Sequence, residues 1–236
     1  MYEPTPAMDA ADRQTISPAV RAGADGDAPW PRTALAASHR RTFQSQDLIY
    51  HQGGAVQGVY LIRSGMVKLL SYLPHGRARI VRLHVPGDSL GLEGLLGQPY
   101  IHTAMATGSV EVECLSMPVL RRLQHEDPGV LMGVLRQWHE YLAQADRWIA
   151  DFSTGGIKPR LARLLKFLAE VEYGSPADQV KLLSGPEMAD ILGVTPESIS
   201  RVLAGFKRSQ MLQKCHGLRR EIYRVDNGKL QEAACQ

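Results

Sequence analysis

Glu197, Ser200 and Arg201 combine residue types and a spacing that give them a shared task. At i, i+3 and i+4 they fall on one face of a helix. A guanidinium there can bond guanine O6 and N7 together, a carboxylate can accept from the amino group of cytosine, and a hydroxyl can donate or accept. The plainer reading of the trio is a solvent-facing Glu–Arg pair that adds a few tenths of a kcal/mol to its helix.

The surrounding residues favour base recognition. Ile199, Val202, Leu203 and Phe206 recur at i, i+3, i+4 and i+7, an apolar stripe on the opposite side of the same helix. Thr195 before Pro196 marks the start of that helix, with Ser198 in its first turn. Upstream, Ser184-Gly185-Pro186-Glu187 reads as a capping box opening a helix that runs through Met188, Ala189, Ile191 and Leu192 to Gly193. Gly193 accepts the positive φ of a tight turn. Two short helices joined by a glycine-containing turn form the helix-turn-helix pattern, whose second helix presents its first turns to the major groove. The expected DNA contacts are Glu197, Ser200 and Arg201 at bases, with Thr195, Ser198, Lys207 and Arg208 alongside, and Lys214, Arg219 and Arg220 near phosphates.

Charge points the same way. The formal net charge over 236 residues is only +3, but residues 154–236 carry thirteen Lys and Arg against nine Asp and Glu, while residues 1–153 carry fourteen against fifteen. A basic C-terminal part suits a polyanionic partner, because phosphate neutralisation supplies most sequence-independent affinity.

The elements that must position this face follow from changes of period. Residues 1–38 hold Pro4, Pro6, Pro18, Pro29 and Pro31 without an apolar period, and read as a mobile tail. Residues 39–127 break into β-forming runs, Gly58–Arg63, Met66–Leu73, Ala78–Val85 and Val110–Leu115. Ser64-Gly65, Pro74-His75-Gly76 and Pro86-Gly87-Asp88 punctuate them, the pattern of a barrel or roll. Across residues 128–153, Leu131, Leu135, Trp138, Leu142, Ala145, Ile149 and Phe152 recur as a heptad seam, with Arg136, Gln137, Glu140 and Arg147 off it. Such a seam is expected to pair the helix with its copy in a homodimer, the plainer alternative being one helix packed on its own domain. Ser153–Gly156 reads as a hinge, after which Leu161, Leu164, Leu165 and Leu168 begin a second domain over 154–236. That domain closes with a β-run, Ile222–Val225, behind the turn His216-Gly217. The fold class is α+β.

Composition narrows the function classes. Hydrophobic residues make up 44 % and charged residues 22 %, and no stretch approaches eighteen apolar residues, so a membrane partner is not expected. Cys114, Cys215 and Cys235 are too scattered for a zinc knuckle or a disulfide framework, and a reducing cytoplasm is expected. A cupin-like metal enzyme would want His-x-His and a carboxylate; His84-Val85-Pro86 offers no such pair, so neither catalytic nor metal-binding residues are assigned.

Over about residues 40 to 225 the sequence resembles the CRP/FNR family of bacterial transcription regulators. The segments VYLIRSGMVKLL, LPHGR and HVPGDSLGLEGLL resemble its β-roll, and GVTPESISRVLAGFKRSQML its recognition helix. Glu197, Ser200 and Arg201 match the E-x-x-S-R form of the FNR subgroup, which implies a palindrome like TTGAT-N4-ATCAA. The resemblance further implies an N-terminal β-roll like a cyclic-nucleotide-binding jelly roll, a long parallel dimerisation helix and a C-terminal winged helix-turn-helix. It also implies double-stranded DNA and RNA polymerase as partners, activation of transcription, and an effector held near Gly91, Leu92, Glu93, His102, Thr103 and Trp138.

Two departures bear on the effector. Cyclic-nucleotide members carry a ribose-binding Glu and a phosphate-binding Arg where this chain has Leu92 and His102, although Thr103 fits the neighbouring hydroxyl position. Glu93 is one residue away, and in a strand a single step reverses the face. Without the arginine fork a buried cyclic phosphate lacks its charge-assisted partner, so cyclic AMP is not expected and a cyclic-nucleotide-dependent regulator is the alternative reading. An iron–sulfur cluster needs four ligands, mostly thiolates, and is not expected either. The chain thus resembles the cysteine-poor branch of DNR/FixK-like regulators, which implies a response to NO through haem, a redox response, or action without a ligand. Haem is the cofactor left open: eight histidines are present, His39, His51, His75, His84, His102, His125, His139 and His216, none in a motif.

Overall fold

The computed structural model describes residues 30, 32–74, 76–171, 178–215 and 222–235. After a short helix α1 (Arg32–Ala36) come β1 (His39–Phe43), β2 (Leu48–Tyr50), β3 (Gly58–Ser64), β4 (Val67–Tyr72), β5 (Ala78–His84), β6 (Ser89–Leu90), β7 (Thr103–Ala106) and β8 (Val110–Ser116). They form two four-stranded antiparallel sheets, ordered β1-β8-β3-β6 and β2-β7-β4-β5. Phe43, Ile62, Val67, Leu69, Ala104 and Val112 from both sheets pack together between them.

β4 reads as an apolar run because both its faces are covered. Val67 and Leu69 point into the roll, whereas Leu70, with Ile80, Leu83 and Val85, joins the core of the C-terminal helices. The turn from β3 to β4 depends on Gly65 at φ +83°, where an added Cβ would run into the Ser109 carbonyl oxygen and Val110 Cα.

Three helices follow, α2 (Met117–Glu126), α3 (Pro128–Phe152) and α4 (Ile157–Val171). Then come β9 (Gln179–Lys181), α5 (Gly185–Leu192), α6 (Pro196–Arg208), β10 (Leu212–Lys214), β11 (Ile222–Val225) and α7 (Asn227–Ala234), with a small sheet ordered β10-β11-β9. α2 and α7 carry no signal used above, being short helices whose apolar faces find partners only in the folded core. The turn at His216-Gly217 lies outside the described residues.

α3 carries two apolar rows. Val130, Val134, Gln137 and Tyr141 are buried against the roll, and Tyr141 Oη both donates to the Ser89 carbonyl (2.7 Å) and accepts from the Ser89 amide (2.6 Å). Leu131, Leu135, Leu142 and Ile149 are 47–65 % exposed. The structure separates two members of the expected seam from that outer row: Trp138 packs in the apolar cluster around Leu92, and Phe152 is fully buried against α4. A straight helix drifts about 20° per heptad relative to a 3.5-residue repeat, which turns the last seam position toward α4.

Two further expectations are corrected. The tail expected over residues 1–38 does not extend to its C-terminal end: Trp30 and Ala34 are buried on the roll, with Trp30 Nε1 donating to Ser89 Oγ at 2.8 Å. An indole gains from burying its large ring once its single donor is satisfied. Residues 1–29 lie outside the described residues. Strand alternation does not apply at Glu93, because Leu92–Leu96 is a 3-10 turn between glycines at positive φ.

Gly65→Ala is expected to lower stability by about 1–3 kcal/mol, read as a reduced urea midpoint with an unchanged slope. An unchanged midpoint would mean that the turn accommodates a side chain.

Candidate nucleic-acid interface

The helix-turn-helix is assembled from local caps. Ser184 Oγ accepts from the Glu187 amide (3.3 Å), and Glu187 Oε2 accepts from the Ser184 amide (3.0 Å) and hydroxyl (2.8 Å), the two-way bonding of a capping box. α5 ends at Gly193, φ +63°. Arg160 Nη1 donates to the Leu192 carbonyl (2.8 Å) and to the Phe152 carbonyl (3.3 Å), joining the ends of α5 and α3. α6 starts at Thr195, whose hydroxyl accepts from the Ser198 amide (3.3 Å) and lies 3.2 Å from Ser198 Oγ.

α6 then sorts its faces as its sequence requires. Ile199 and Phe206 are fully buried, Val202 and Leu203 half-buried, and Glu197, Ser200 and Arg201 all exposed on the other side. The amide at Glu197 itself and the Thr195 hydroxyl hold the Glu197 carboxyl below its usual range, so it stays an acceptor. The hydroxyls of Thr195 and Ser198 are spent on the cap, leaving these two residues to orient the helix. Lys207 Nζ stands 4.8 Å from the Tyr223 ring centroid and 3.2 Å from its hydroxyl, a cation–π contact that ties α6 to β11. Arg208 and Lys214 are exposed; Arg219 and Arg220 lie outside the described residues.

One contact escapes any local reading. Glu187 Oε1 receives Lys68 Nζ of β4 at 2.6 Å, with the two side chains only 15 % and 6 % exposed, and Lys68 also donates to Gln46 Oε1 at 3.2 Å. The available signal was a lysine inside the apolar run Val67–Leu70, since a buried cation demands a partner. Burial pushes the Glu187 carboxyl up, but the bonds from Lys68 and Ser184 outweigh it and leave it below the ordinary carboxylate range.

The residues expected around an effector do not converge as one polar set. Leu92 and Trp138 share an apolar cluster with Val59 and Leu61. Gly91, at φ +83°, lies against the Gly58 carbonyl. Glu93 Oε1 accepts from the Ile101 amide (3.3 Å), and Thr103 Oγ1 from the Gln52 amide (3.0 Å). His102 is half-buried; burial, then Arg82 and His84, lower its pKa. The roll interior holds Tyr50 stacked on Tyr100 (3.7 Å, 5° between planes), with Tyr60 6.0 Å from Tyr50. Among the described residues, no three His, Cys, Asp or Glu side chains come together as a metal site, and no helix is long and apolar enough to cross a membrane.

Comparison with known proteins matches two family models, "Cyclic nucleotide-binding domain" over residues 40–127 and "Crp-like helix-turn-helix domain" over residues 159–233. The transcriptional regulator LdrP of Thermus thermophilus is 30 % identical over 82 % of this chain and 96 % of its own. The regulatory protein HlyX of Actinobacillus pleuropneumoniae is 24 % identical over 73 % of both chains. Among solved structures, a CRP-family transcriptional regulator from Thermus thermophilus superposes with a TM-score of 0.71 and 29 % identity, over 83 % of this chain and 97 % of that one. FixK2 from Bradyrhizobium japonicum shares the fold with a TM-score of 0.71 at 22 % identity, over 83 % and 96 %.

Glu187→Gln keeps a capping side chain but leaves the Lys68 ammonium unpaired, and is expected to cost about 3 kcal/mol near pH 7. A carboxyl whose folded pKa is depressed contributes above its unfolded value and loses that contribution as pH falls through the folded one. The deficit, followed by urea denaturation, should therefore shrink as the pH is lowered through the carboxylate range. A deficit independent of pH would remove the ion pair from the account.

Proposed function

The chain belongs to the CRP/FNR family of transcription regulators, and on that basis we propose that it is a homodimeric, sequence-specific activator that reads an FNR-like palindrome and contacts RNA polymerase. Glu197, Ser200 and Arg201, displayed together on the outer face of a capped second helix, carry the reading. Arg201 pairs with guanine, Glu197 accepts from cytosine, and Ser200 completes the set. Lys207 and Arg208 meet phosphates, and the Thr195 and Ser198 cap aims the helix N-terminus at the backbone.

The dimer reading is supported by the exposed apolar row of α3, Leu131, Leu135, Leu142 and Ile149, with half-buried Ala145 beside it. Pairing two copies along this row presents two recognition helices to half-sites about 34 Å apart. Control then acts through the relative position of the two helix-turn-helix units, a population shift in which the segment Ser153–Gly156 is the pivot.

A cyclic nucleotide does not fit this roll. Leu92 is buried in an apolar cluster where the family's ribose-binding carboxylate would stand, and His102 replaces the phosphate-binding guanidinium. Haem enters through only two described histidines withdrawn from solvent, His84 and His102, and His84 spends Nδ1 on Asp88 at 2.9 Å. Haem iron would supply NO binding, and either His102 or His84, the latter through Nε2 with Nδ1 oriented by Asp88, would hold it.

Fluorescence anisotropy of the purified protein with a TTGAT-N4-ATCAA duplex is expected to show selective binding over a scrambled duplex at one stated salt concentration. Arg201→Ala should cost about 1–3 kcal/mol on the palindrome alone, and Arg208→Ala should weaken both duplexes alike. Equal losses on both duplexes for Arg201→Ala would sink the base-contact assignment.

Leu142→Glu places a charge in the proposed seam and should yield a monomer by light scattering, with loss of palindrome binding. A Leu142→Glu protein that stays dimeric would move the interface elsewhere.

A further inference from the structure

The roll reaches the helix-turn-helix with more than Lys68. Arg79, on β5 and paired with Ser71 of β4, lies over the turn between α5 and α6. A Cβ added at Gly193 would stand 3.1 Å from its Nη2 and 3.2 Å from both Cζ and Nη1. Three atoms of a planar group at nearly equal distance put the guanidinium face-on above the Gly193 backbone. Its N–H donors lie in that plane and point outward around the rim. Arg79 is half-exposed, and among the described residues it makes no hydrogen bond or ion pair.

The neighbouring cations are differently placed. Lys68 bonds Glu187, and burial raises the pKa of the Asp190 carboxyl against the pull of Arg77 and Lys68, so carboxylates of α5 already answer these two. A cation at a helix C-terminus can serve simply to offset the dipole. At the end of α5 that role is taken by Arg160, whose Nη1 donates to the Leu192 carbonyl at 2.8 Å. The amides of Gly193 and Val194 both return to the Ala189 carbonyl. The donors of Arg79 are therefore unspent by the turn beneath them.

Gly193 is two residues before Thr195, within about 7 Å along the chain. An α6 that turns Glu197, Ser200 and Arg201 to base edges lies in the major groove, with the phosphates that border the groove beside its first turn. A guanidinium matches a phosphate with two parallel N–H bonds. We propose that Arg79 is a DNA-phosphate contact supplied by the roll, so that the interface extends across both parts of the chain. This contact rests on the DNA-binding reading of α6. It lies outside the basic C-terminal part, in residues 1–153, where fourteen Lys and Arg stand against fifteen Asp and Glu. Arg79 reaches the turn only while α5 stays docked on the roll, so a change in that docking alters DNA affinity without any change within α6.

The test is fluorescence anisotropy of the full-length protein with the palindrome and the scrambled duplex over a series of salt concentrations. Arg79→Gln is expected to lower the slope of log affinity against log salt by about one per half-site, and to weaken both duplexes about tenfold at about 0.15 M salt. The selectivity ratio and thermal midpoint should stay as in the parent. Arg79→Lys keeps the charge without the flat face, and should retain most of the slope that Arg79→Gln loses. Replacing single phosphates of the palindrome by neutral methylphosphonates should reveal a position in each half-site that costs the parent affinity and costs Arg79→Gln nothing further. An unchanged slope in Arg79→Gln, a slope lowered equally in Arg79→Lys, or no phosphate whose cost disappears in Arg79→Gln would overturn the contact. A parent that binds DNA without selecting the palindrome, yet loses slope in Arg79→Gln, keeps the contact and removes the base-reading assignment; a selective parent with an unchanged slope does the reverse. Absence of DNA binding by the parent removes both.

Discussion

The Glu187 carboxylate serves two parts of the molecule at once. One oxygen closes the capping box at the start of α5, and the other receives the Lys68 ammonium from the roll. Neither role can be withdrawn cheaply: removing the carboxylate frays the first turn of the helix-turn-helix and strands a buried cation in β4. A buried ion pair adds little net stability against an apolar alternative, since desolvation offsets much of the Coulomb attraction. What it adds is discrimination between arrangements, because any packing of α5 on the roll that separates the two charges carries the full desolvation cost.

Around that contact the molecule distributes its surfaces by what each must touch. β4 and β5 present one face to the roll interior and the other to the C-terminal helices, so the two parts share a core. Arg160 reinforces the join by bonding the last carbonyls of α3 and α5 together. α3 faces the roll with one row and solvent with the other, while α6 turns its apolar row inward and its polar trio outward. Orientation of α6 is thus inherited from α5, and that of α5 from the roll. A signal reaching the roll or α3 has a physical route to the helix-turn-helix through packed contacts with few alternatives.

In the roll, the residues expected around an effector are engaged within the fold. Tyr50, Tyr60 and Tyr100 pack among aliphatic residues in its interior, Leu92 is part of a core, and Glu93 and Thr103 accept from backbone amides.

Much of the interface was legible because its determinants are short-range. The capping box, the positive φ at Gly193, the Thr195 cap and the opposed faces of α6 are relations between residues at most a few positions apart, and each is written in residue type and spacing. The runs that form β3, β4, β5 and β8 were legible for the same reason; β1, β2, β6 and β7 were not, and at Leu92–Leu96 flanking glycines at positive φ bend the chain into a 3-10 turn. The docking of Trp30, the departure of Trp138 and Phe152 from the outer row of α3, and the helices α2 and α7 were not legible, because each depends on which distant surface offers burial. Residue type and spacing alone specify the recognition face and its caps. What holds that face in position emerges only on folding, since Lys68 and Glu187 are 119 residues apart and the attraction between them exists only once water has been excluded from around both.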